Sequence, residues 1–250
     1  VLSQEKLADG VFSMWLETKE IAKDSVAGQF ISVYCKDGAK ILPRPISICE
    51  VDKERNALRI VYRVVGQGTE EFSKYTAGEM VPILGPLGNG FSKSEKDAML
   101  IAGGIGIPPM LELAKELKAE FNNKITIVVG YRDSQMFLKE ELEKYGEVIV
   151  ATEDGSFGTK GNVIDAIKEN NLSAKVIYSC GPTPMLRAVK EFGLNKDIET
   201  QISLEEKMAC GIGACLACVC KSKDVDHHSN VHNKRICADG PVFDAREVEI

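Results

Sequence analysis

The spacing of four cysteines limits what this chain can become more than any other feature. In the stretch Ala209 to Cys220, A-C-G-I-G-A-C-L-A-C-V-C, Cys210, Cys215 and Cys218 form C-x4-C-x2-C, and Cys237 follows across a polar stretch. Residues 197–250 hold too little apolar material for a core of their own, so they need a metal centre or a neighbouring domain to stay folded. One distant cysteine after C-x4-C-x2-C is the spacing of a plant-type [2Fe–2S] cluster, with Cys210, Cys215, Cys218 and Cys237 as ligands. Gly211, Gly213 and Ala214 let the backbone wrap closely and aim N–H groups at the sulfurs, which helps to set a cluster's potential. The alternative is a zinc-stabilised binding module. Zinc accepts four thiolates but usually takes them as two short-spaced pairs, and only Cys215 and Cys218 form such a pair. Cys220 is expected to be a non-ligand on the far side of its strand. A Rieske centre would need two histidines at its own spacing. His227, His228 and His232 lie instead among Asp and Asn, where they read as solvated.

The remaining cysteines argue against a disulfide framework. Cys35, Cys49 and Cys180 stand singly in apolar surroundings, where buried free thiols are common. The other five cluster, and as nothing at the start of the sequence argues for export, the expectation is metal binding. No run approaches the ~20 apolar residues of a membrane helix. The expectation is therefore a cytoplasmic protein without a membrane span. The formal net charge of -6 argues against nucleic acid as a partner.

Texture changes twice along the 250 residues, which are enough for two domains and a small appendage. In the first part Val11–Glu17 alternates, Phe30–Val33 is a short apolar run, and Leu58–Val65 is rich in β-branched residues. Glycines and prolines punctuate these runs, and a small antiparallel β-barrel is expected over 1–94. Over 95–196, apolar strands at Ala98–Ala102, Ile125–Tyr131, Glu147–Ala151 and Val176–Ser179 alternate with helical patterns at Met110–Phe121, Phe137–Tyr145, Val163–Asn170 and Met185–Phe192. That alternation predicts an α/β doubly wound parallel sheet, whose sites lie at the carboxyl ends of the strands. The cysteine domain occupies 197–250, opening on a strand near Ile198–Leu204.

Two turns of the middle region belong together. Gly103-Gly104-Ile105-Gly106-Ile107-Pro108-Pro109 follows a strand and opens a helix, so its glycines permit positive φ and close approach to a phosphate at a helix N-terminus. It is not the G-x-G-x-x-G fingerprint, and alone it also fits a tight structural turn. Cys180-Gly181-Pro182-Thr183-Pro184-Met185 ends another strand of the same sheet, and the two turns together make a cleft for a dinucleotide. In the barrel, Arg44 of Arg44-Pro45-Ile46-Ser47 can pair with a pyrophosphate, although a Pro-flanked turn with a surface Arg is an ordinary feature. Gly66-Gln67-Gly68-Thr69 reads singly as an ordinary turn.

Taken together, R-P-I-S, G-G-I-G-I-P-P and C-G-P-T-P-M resemble the ferredoxin–NADP reductase superfamily. With E-E-K-M-A-C-G-I-G-A-C-L-A-C-V-C and I-C-A-D-G-P-V-F, the chain is similar over nearly its whole length to the family of electron-transfer subunits of class 1B dihydroorotate dehydrogenase. The resemblance implies FAD in the barrel, contacted by Arg44, Pro45, Ile46, Ser47, Val61, Tyr62, Arg63, Gly68 and Thr69. It implies NAD as substrate beside Gly103, Gly104, Gly106, Cys180, Gly181 and Pro182, with Cys180 near the flavin. It further implies a catalytic partner that carries FMN and oxidises dihydroorotate, in a heterotetramer of two of each chain. Electrons would pass from that FMN through the cluster and FAD to NAD+, with no catalytic acid or base on this chain. A related reductase, the small subunit of an NADH-dependent ferredoxin–NADP oxidoreductase, would look similar. A cluster ligand other than Cys would favour it, and all four expected ligands here are Cys. Glu153 and Asp154 would repel the 2′-phosphate of NADP, whereas Arg132 could attract it; NAD is what the resemblance implies.

Overall fold

The structure is a computed structural model and describes residues 1–226 and 230–250. The reading of His227 and His228 lies outside the described residues. Short strands separated by Gly and Pro build the first unit. They are β1 (Ser3–Ala8), β2 (Val11–Glu17), β3 (Phe30–Val33), β4 (Arg44–Asp52), β5 (Ala57–Arg63) and β6 (Ile83–Leu87), with short helices α1 (Lys19–Asp24) and α2 (Gln67–Phe72). Pairing is antiparallel in the order β1-β2-β5-β4-β3-β6. The sheet turns over at β4: residues 44–47 pair with β3, and those from Ile48 onward pair with β5. The expected barrel is thus a curled sheet around Met14, Leu16, Ile31, Ile48, Leu58, Ile60, Tyr62 and Phe72. R-P-I-S is strand rather than turn. Its half of β4 has only β3 beside it, an edge of the kind that tolerates a proline.

The middle unit has the strands β7 (Ala98–Gly103), β8 (Ile125–Tyr131), β9 (Glu147–Thr152), β10 (Thr159–Lys160), β11 (Val176–Cys180) and β12 (Glu199–Ser203). Its helices are α3 (Pro108–Phe121), α4 (Lys139–Leu142), α5 (Val163–Glu169) and α6 (Thr183–Asn195). On β7, Ala98, Leu100 and Ala102 pack towards α3, while Met99 and Ile101 pack towards α5 and α6. Burial on both faces is what a parallel strand requires. Strands run β10-β9-β8-β7-β11-β12, all parallel, so the order in which strands are added reverses between β7 and β11, the point at which doubly wound sheets bind ligands. The helix expected over Phe137–Tyr145 is reduced to Lys139–Leu142. Leu138 takes φ 62° and the Phe137 carbonyl accepts the Tyr131 hydroxyl, burying both side chains at the cost of a helical turn.

The tail contributes β13 (Val219–Ser222), β14 (Asn233–Arg235), β15 (Val242–Asp244) and β16 (Val248–Glu249). Strands β14, β13 and β16 form a small sheet, whereas β15 joins the edge of the parallel sheet antiparallel to β12. The tail therefore folds on its neighbours. Cys218, Ile236, Cys237 and Phe243 share an apolar cluster with Phe30 of the barrel and Leu186 of α6. Asn89, just after β6, donates its side-chain amide to the carbonyls of Ala238 and Asp239 and its backbone N–H to that of Gly240.

Barrel and parallel sheet are locked together by polar ties. Glu112 on α3, buried, accepts the Val51 N–H of β4 at 2.8 Å. Glu116 accepts the Ala27 N–H at 3.1 Å. Arg59 of β5, also buried, pairs with Glu141 of α4 through both guanidinium arms.

Candidate functional site

A cleft of about 600 Å³ opens between the curled sheet and the carboxyl ends of β7 and β11. Of the fifteen residues expected from the sequence to border FAD or the nicotinamide nucleotide, all but Gly68 and Gly104 line it. Arg44, Pro45, Ile46 and Ser47 form one wall from the open half of β4, and Val61, Tyr62 and Arg63 continue it from the end of β5. The Tyr62 hydroxyl is engaged, donating to Gln4 at 2.8 Å, and burial holds it well above the usual phenol range. Tyr62 is only 1% exposed and its ring packs in the core of the curled sheet against Phe12 and Phe72, so what it offers the cleft is backbone.

Gly68 acts through a neighbour. A Cβ there would collide with the guanidinium of Arg44, so the absence of a side chain lets that cation lie flat over α2. Arg44 is further held by donating to the Leu42 carbonyl at 2.5 Å and to Cys35 Sγ at 3.4 Å. Thr69 braces the same corner: its hydroxyl oxygen accepts the N–H groups of Val65 and Gly66 at 3.0 and 3.2 Å. Gly66-Gln67-Gly68-Thr69 is thus the start of a helix that seats Arg44. An apolar wall with a fixed cation at its edge fits a flavin dinucleotide, whose ring is apolar and whose pyrophosphate is anionic.

The opposite wall is made by the two turns, which touch. A Cβ on Gly106 would lie 2.5 Å from the Gly181 nitrogen, and one on Gly181 would lie 2.5 Å from Met185 Cε. A Cβ on Gly103 would lie 2.8 Å from Met185 Sδ. These glycines are needed to pack one turn on the other. Only Gly104 takes a positive φ, 53°, and it faces open space. Cys180 sits at the end of β11 opposite Ser203 of β12. Burial pushes its thiol up to about 12, against the lowering effect of a hydrogen bond with Ser203, so it is neutral at ordinary pH.

The cysteine loop lies behind this cleft. Cys210 lies beside Cys215, and Cys218 beside Cys237. Gly213 donates its N–H to Cys237 Sγ at 3.1 Å, and Ile212 donates to Cys210 Sγ at 3.5 Å. Burial raises the Cys210 thiol, but the N–H groups of Ile212, Cys215 and Ala214 outweigh it and bring the group down to about 6. Burial and then the Cys218 thiol push Cys237 up to about 12. Gly211 and Gly213 take φ of 71° and 82°, and a Cβ on Gly213 would lie 2.8 Å from that of Ala238. Among the described residues no three His, Cys, Asp or Glu side chains gather round a single ion point. The thiols gather in pairs, as two irons each take two of four thiolates. Four thiols, N–H groups already aimed at sulfur, and glycines where side chains would intrude fit a [2Fe–2S] cluster. Cys220, on β13, packs against the apolar cluster, with burial pushing it up to about 11. His232 is exposed, its Nδ1 2.7 Å from the Lys223 carbonyl.

Cleft and cysteine loop share walls. Phe30 lines the cleft and packs in the same apolar cluster as Cys218 and Cys237. Ser203, Leu204, Glu205, Glu206, Lys207 and Met208 line the cleft and lead directly to Cys210. Sequence reasoning did not assign this segment to the cleft. Its signal was position: it follows the last parallel strand, whose carboxyl end must face the site.

Comparison with known proteins agrees with this arrangement. Residues 205–249 match the family model for the iron–sulfur cluster binding domain of dihydroorotate dehydrogenase B, and residues 100–191 match the oxidoreductase NAD-binding domain. The chain is 42% identical to the dihydroorotate dehydrogenase B (NAD(+)) electron transfer subunit of Bacillus cereus strain B4264, covering 99% of this chain and 96% of that one. The same holds for the subunit of that name in Bacillus thuringiensis subsp. konkukian. Among solved structures it is similar to an NADH-dependent reduced ferredoxin–NADP oxidoreductase, with TM-score 0.89 and 29% identity over 100% of this chain and 88% of that one. It shares the fold of a ferredoxin NADP+ reductase from Neisseria gonorrhoeae, with TM-score 0.65 and 17% identity over 78% of this chain and 88% of that one.

Proposed function

The chain belongs to the family of dihydroorotate dehydrogenase B electron transfer subunits, and on that premise we propose that it passes electrons from a catalytic partner subunit to NAD+ in pyrimidine biosynthesis. Its cofactors are FAD and a [2Fe–2S] cluster, with NAD as substrate. When bound, FAD exchanges two electrons at once with the nicotinamide and one at a time with the cluster, the conversion such a relay needs. Residues 1–94 would carry the FAD, 95–196 the NAD, and 197–250 the cluster. Strands β12 and β15 bind the last of these to the middle sheet.

The protein's own contribution is placement. Arg44, held over Gly68 and braced by Thr69, would fix the pyrophosphate of FAD, and Pro45, Ile46, Ser47, Val61, Tyr62, Arg63 and Gly68 would complete its seat. Gly103, Gly104, Gly106, Cys180, Gly181 and Pro182 would border the nicotinamide. Cys210, Cys215, Cys218 and Cys237 would hold the cluster. No side chain needs to move a proton, and the neutral Cys180 thiol suits a position beside a hydride acceptor.

The observation that carries the reading is the shared wall: Phe30 and the segment from Ser203 to Met208 put cleft and cysteine loop back to back. On its outer side the loop presents Cys215 with Ile212, 60% exposed, and Leu216, 40% exposed. This apolar rim is where the partner, an FMN-bearing subunit in a heterotetramer of two of each chain, would dock. Eight cysteines, none of them in a disulfide, suit a reducing, cytoplasmic setting. Replacing Cys215 by Ala tests the account. NADH-to-dye diaphorase activity should persist nearly unchanged, while dihydroorotate-to-NAD transfer by the assembled enzyme stops. Equal survival of both activities would take the cysteine loop off the path.

A further inference from the structure

Ser32 is fully buried, at 0% exposure, and its hydroxyl has no hydrogen-bond partner among the described residues. Buried hydroxyls are ordinarily paired, because an unmade bond in an apolar setting is costly. The strand explains where this one points. On β3, Ile31 and Val33 enter the core of the curled sheet, so Phe30 and Ser32 face the other way, towards the tail. There Ser32 meets the cysteine loop. A Cβ built on Gly211 would lie 3.0 Å from Ser32 Oγ and 3.4 Å from Leu87 Cδ1. Gly211 directly follows Cys210, and at φ 71° it turns the backbone so that the loop lies against the strand.

A donor has thus been built into an apolar wall beside one expected cluster ligand. An iron-bound thiolate or a cluster sulfide at this place is a negatively charged acceptor, and low dielectric strengthens a hydrogen bond to it. We infer that the Ser32 hydroxyl donates to a sulfur on the Cys210 side of the [2Fe–2S] cluster and raises the cluster's reduction potential. The direction follows from charge, since the reduced cluster carries one more electron and gains more from the donor. The inference rests on reading the cysteines as cluster ligands. It also gives β3 a double role. Ser32 pairs across the ladder with Pro45, which lines the cleft, so one rung joins the flavin wall to the cluster's donor.

The test compares the holoprotein with its Ser32→Ala and Ser32→Thr variants. Cluster potential is measured by redox titration followed by electron paramagnetic resonance, the FAD potential serves as internal reference, and Fe–S stretching is read by resonance Raman. Ser32→Ala should weaken reduction of the cluster about tenfold, roughly 59 mV for a one-electron couple, and shift the Fe–S stretches. The FAD potential should stay in place, and Ser32→Thr, which keeps the hydroxyl, should stay near wild type. Unshifted cluster potential and stretches in Ser32→Ala would overturn the inference. So would an equal displacement of the FAD potential, which marks general loosening. A wild-type holoprotein holding zinc in place of iron would refute the cluster reading itself and this inference with it; iron present without a shift refutes Ser32 alone.

Discussion

At the scale of single residues the glycines separate two kinds of necessity. Gly106 has backbone on its far side, the Cys180 and Gly181 peptide, which cannot move away cheaply. Gly106→Ala should therefore destabilise the fold by about 1–3 kcal/mol, seen as a lower midpoint in denaturant. Gly68 has only the flexible end of Arg44 opposite it. Gly68→Ala should leave the denaturation midpoint nearly unchanged while displacing the guanidinium. The loss of one charge-assisted bond, ~1.5–3 kcal/mol, would weaken FAD binding roughly ten- to a hundredfold, measurable by titration of the apoprotein. The cysteine loop stands out in the sequence because the spacing of Cys210, Cys215 and Cys218 is local and chemically specific. The coupling of Arg44 to Gly68 does not, since nothing in the order of residues says that position 44 will lie over position 68. The glycines of the two turns were legible as special, but the main reason for Gly103 and Gly106 is packing between turns far apart in sequence.

At the scale of elements, strands and helices with clean periodicity followed from the sequence. Val11–Glu17, Phe30–Val33 and Ile125–Tyr131 appear with the expected ends. Strand β1, S-Q-E-K-L-A, was not legible, because it is an edge strand with exposed polar residues. Strand β4 was hidden by its proline. The approach to β4 suggests a pH effect. Glu71 of α2 accepts the Lys40 ammonium, the Tyr75 hydroxyl and the Lys36 N–H, each at 2.7 Å, and so pins the loop that delivers Arg44. The Lys40 hydrogen bond foremost holds this carboxyl down at about 2, below its ordinary 4.5. Its contribution is complete above pH 4.5 and is lost as pH falls towards 2. Protection of the amides of residues 36–42 against exchange, relative to the intrinsic rate at each pH, should fall over that window, and Glu71→Gln should show the lower protection already at neutral pH. The tail depends on Asn89 in the same way. Asn89→Ala removes two amide–carbonyl bonds to the segment after Cys237, about 1 kcal/mol each, and should hasten iron loss to a chelator several-fold.

At the scale of the whole molecule, three units are fixed rather than hinged. Glu112, Glu116 and Arg59 tie the curled sheet to the parallel one through buried or half-buried polar contacts, each of which would leave an unpaired group if the units parted. The tail has no separate core and shares one with both neighbours. Such an arrangement suits the proposed relay, whose rates depend on fixed spacing. The reconstituted reaction tests the central claim most directly. The purified chain, loaded with FAD and iron–sulfur cluster, is mixed anaerobically with the proposed FMN-bearing catalytic subunit, dihydroorotate and NAD+, and NADH is followed by absorbance. NADH should form only when both subunits are present, and Cys215→Ala in this chain should abolish it. NADH formed by the catalytic subunit alone, or none formed with both subunits fully loaded, would contradict the account.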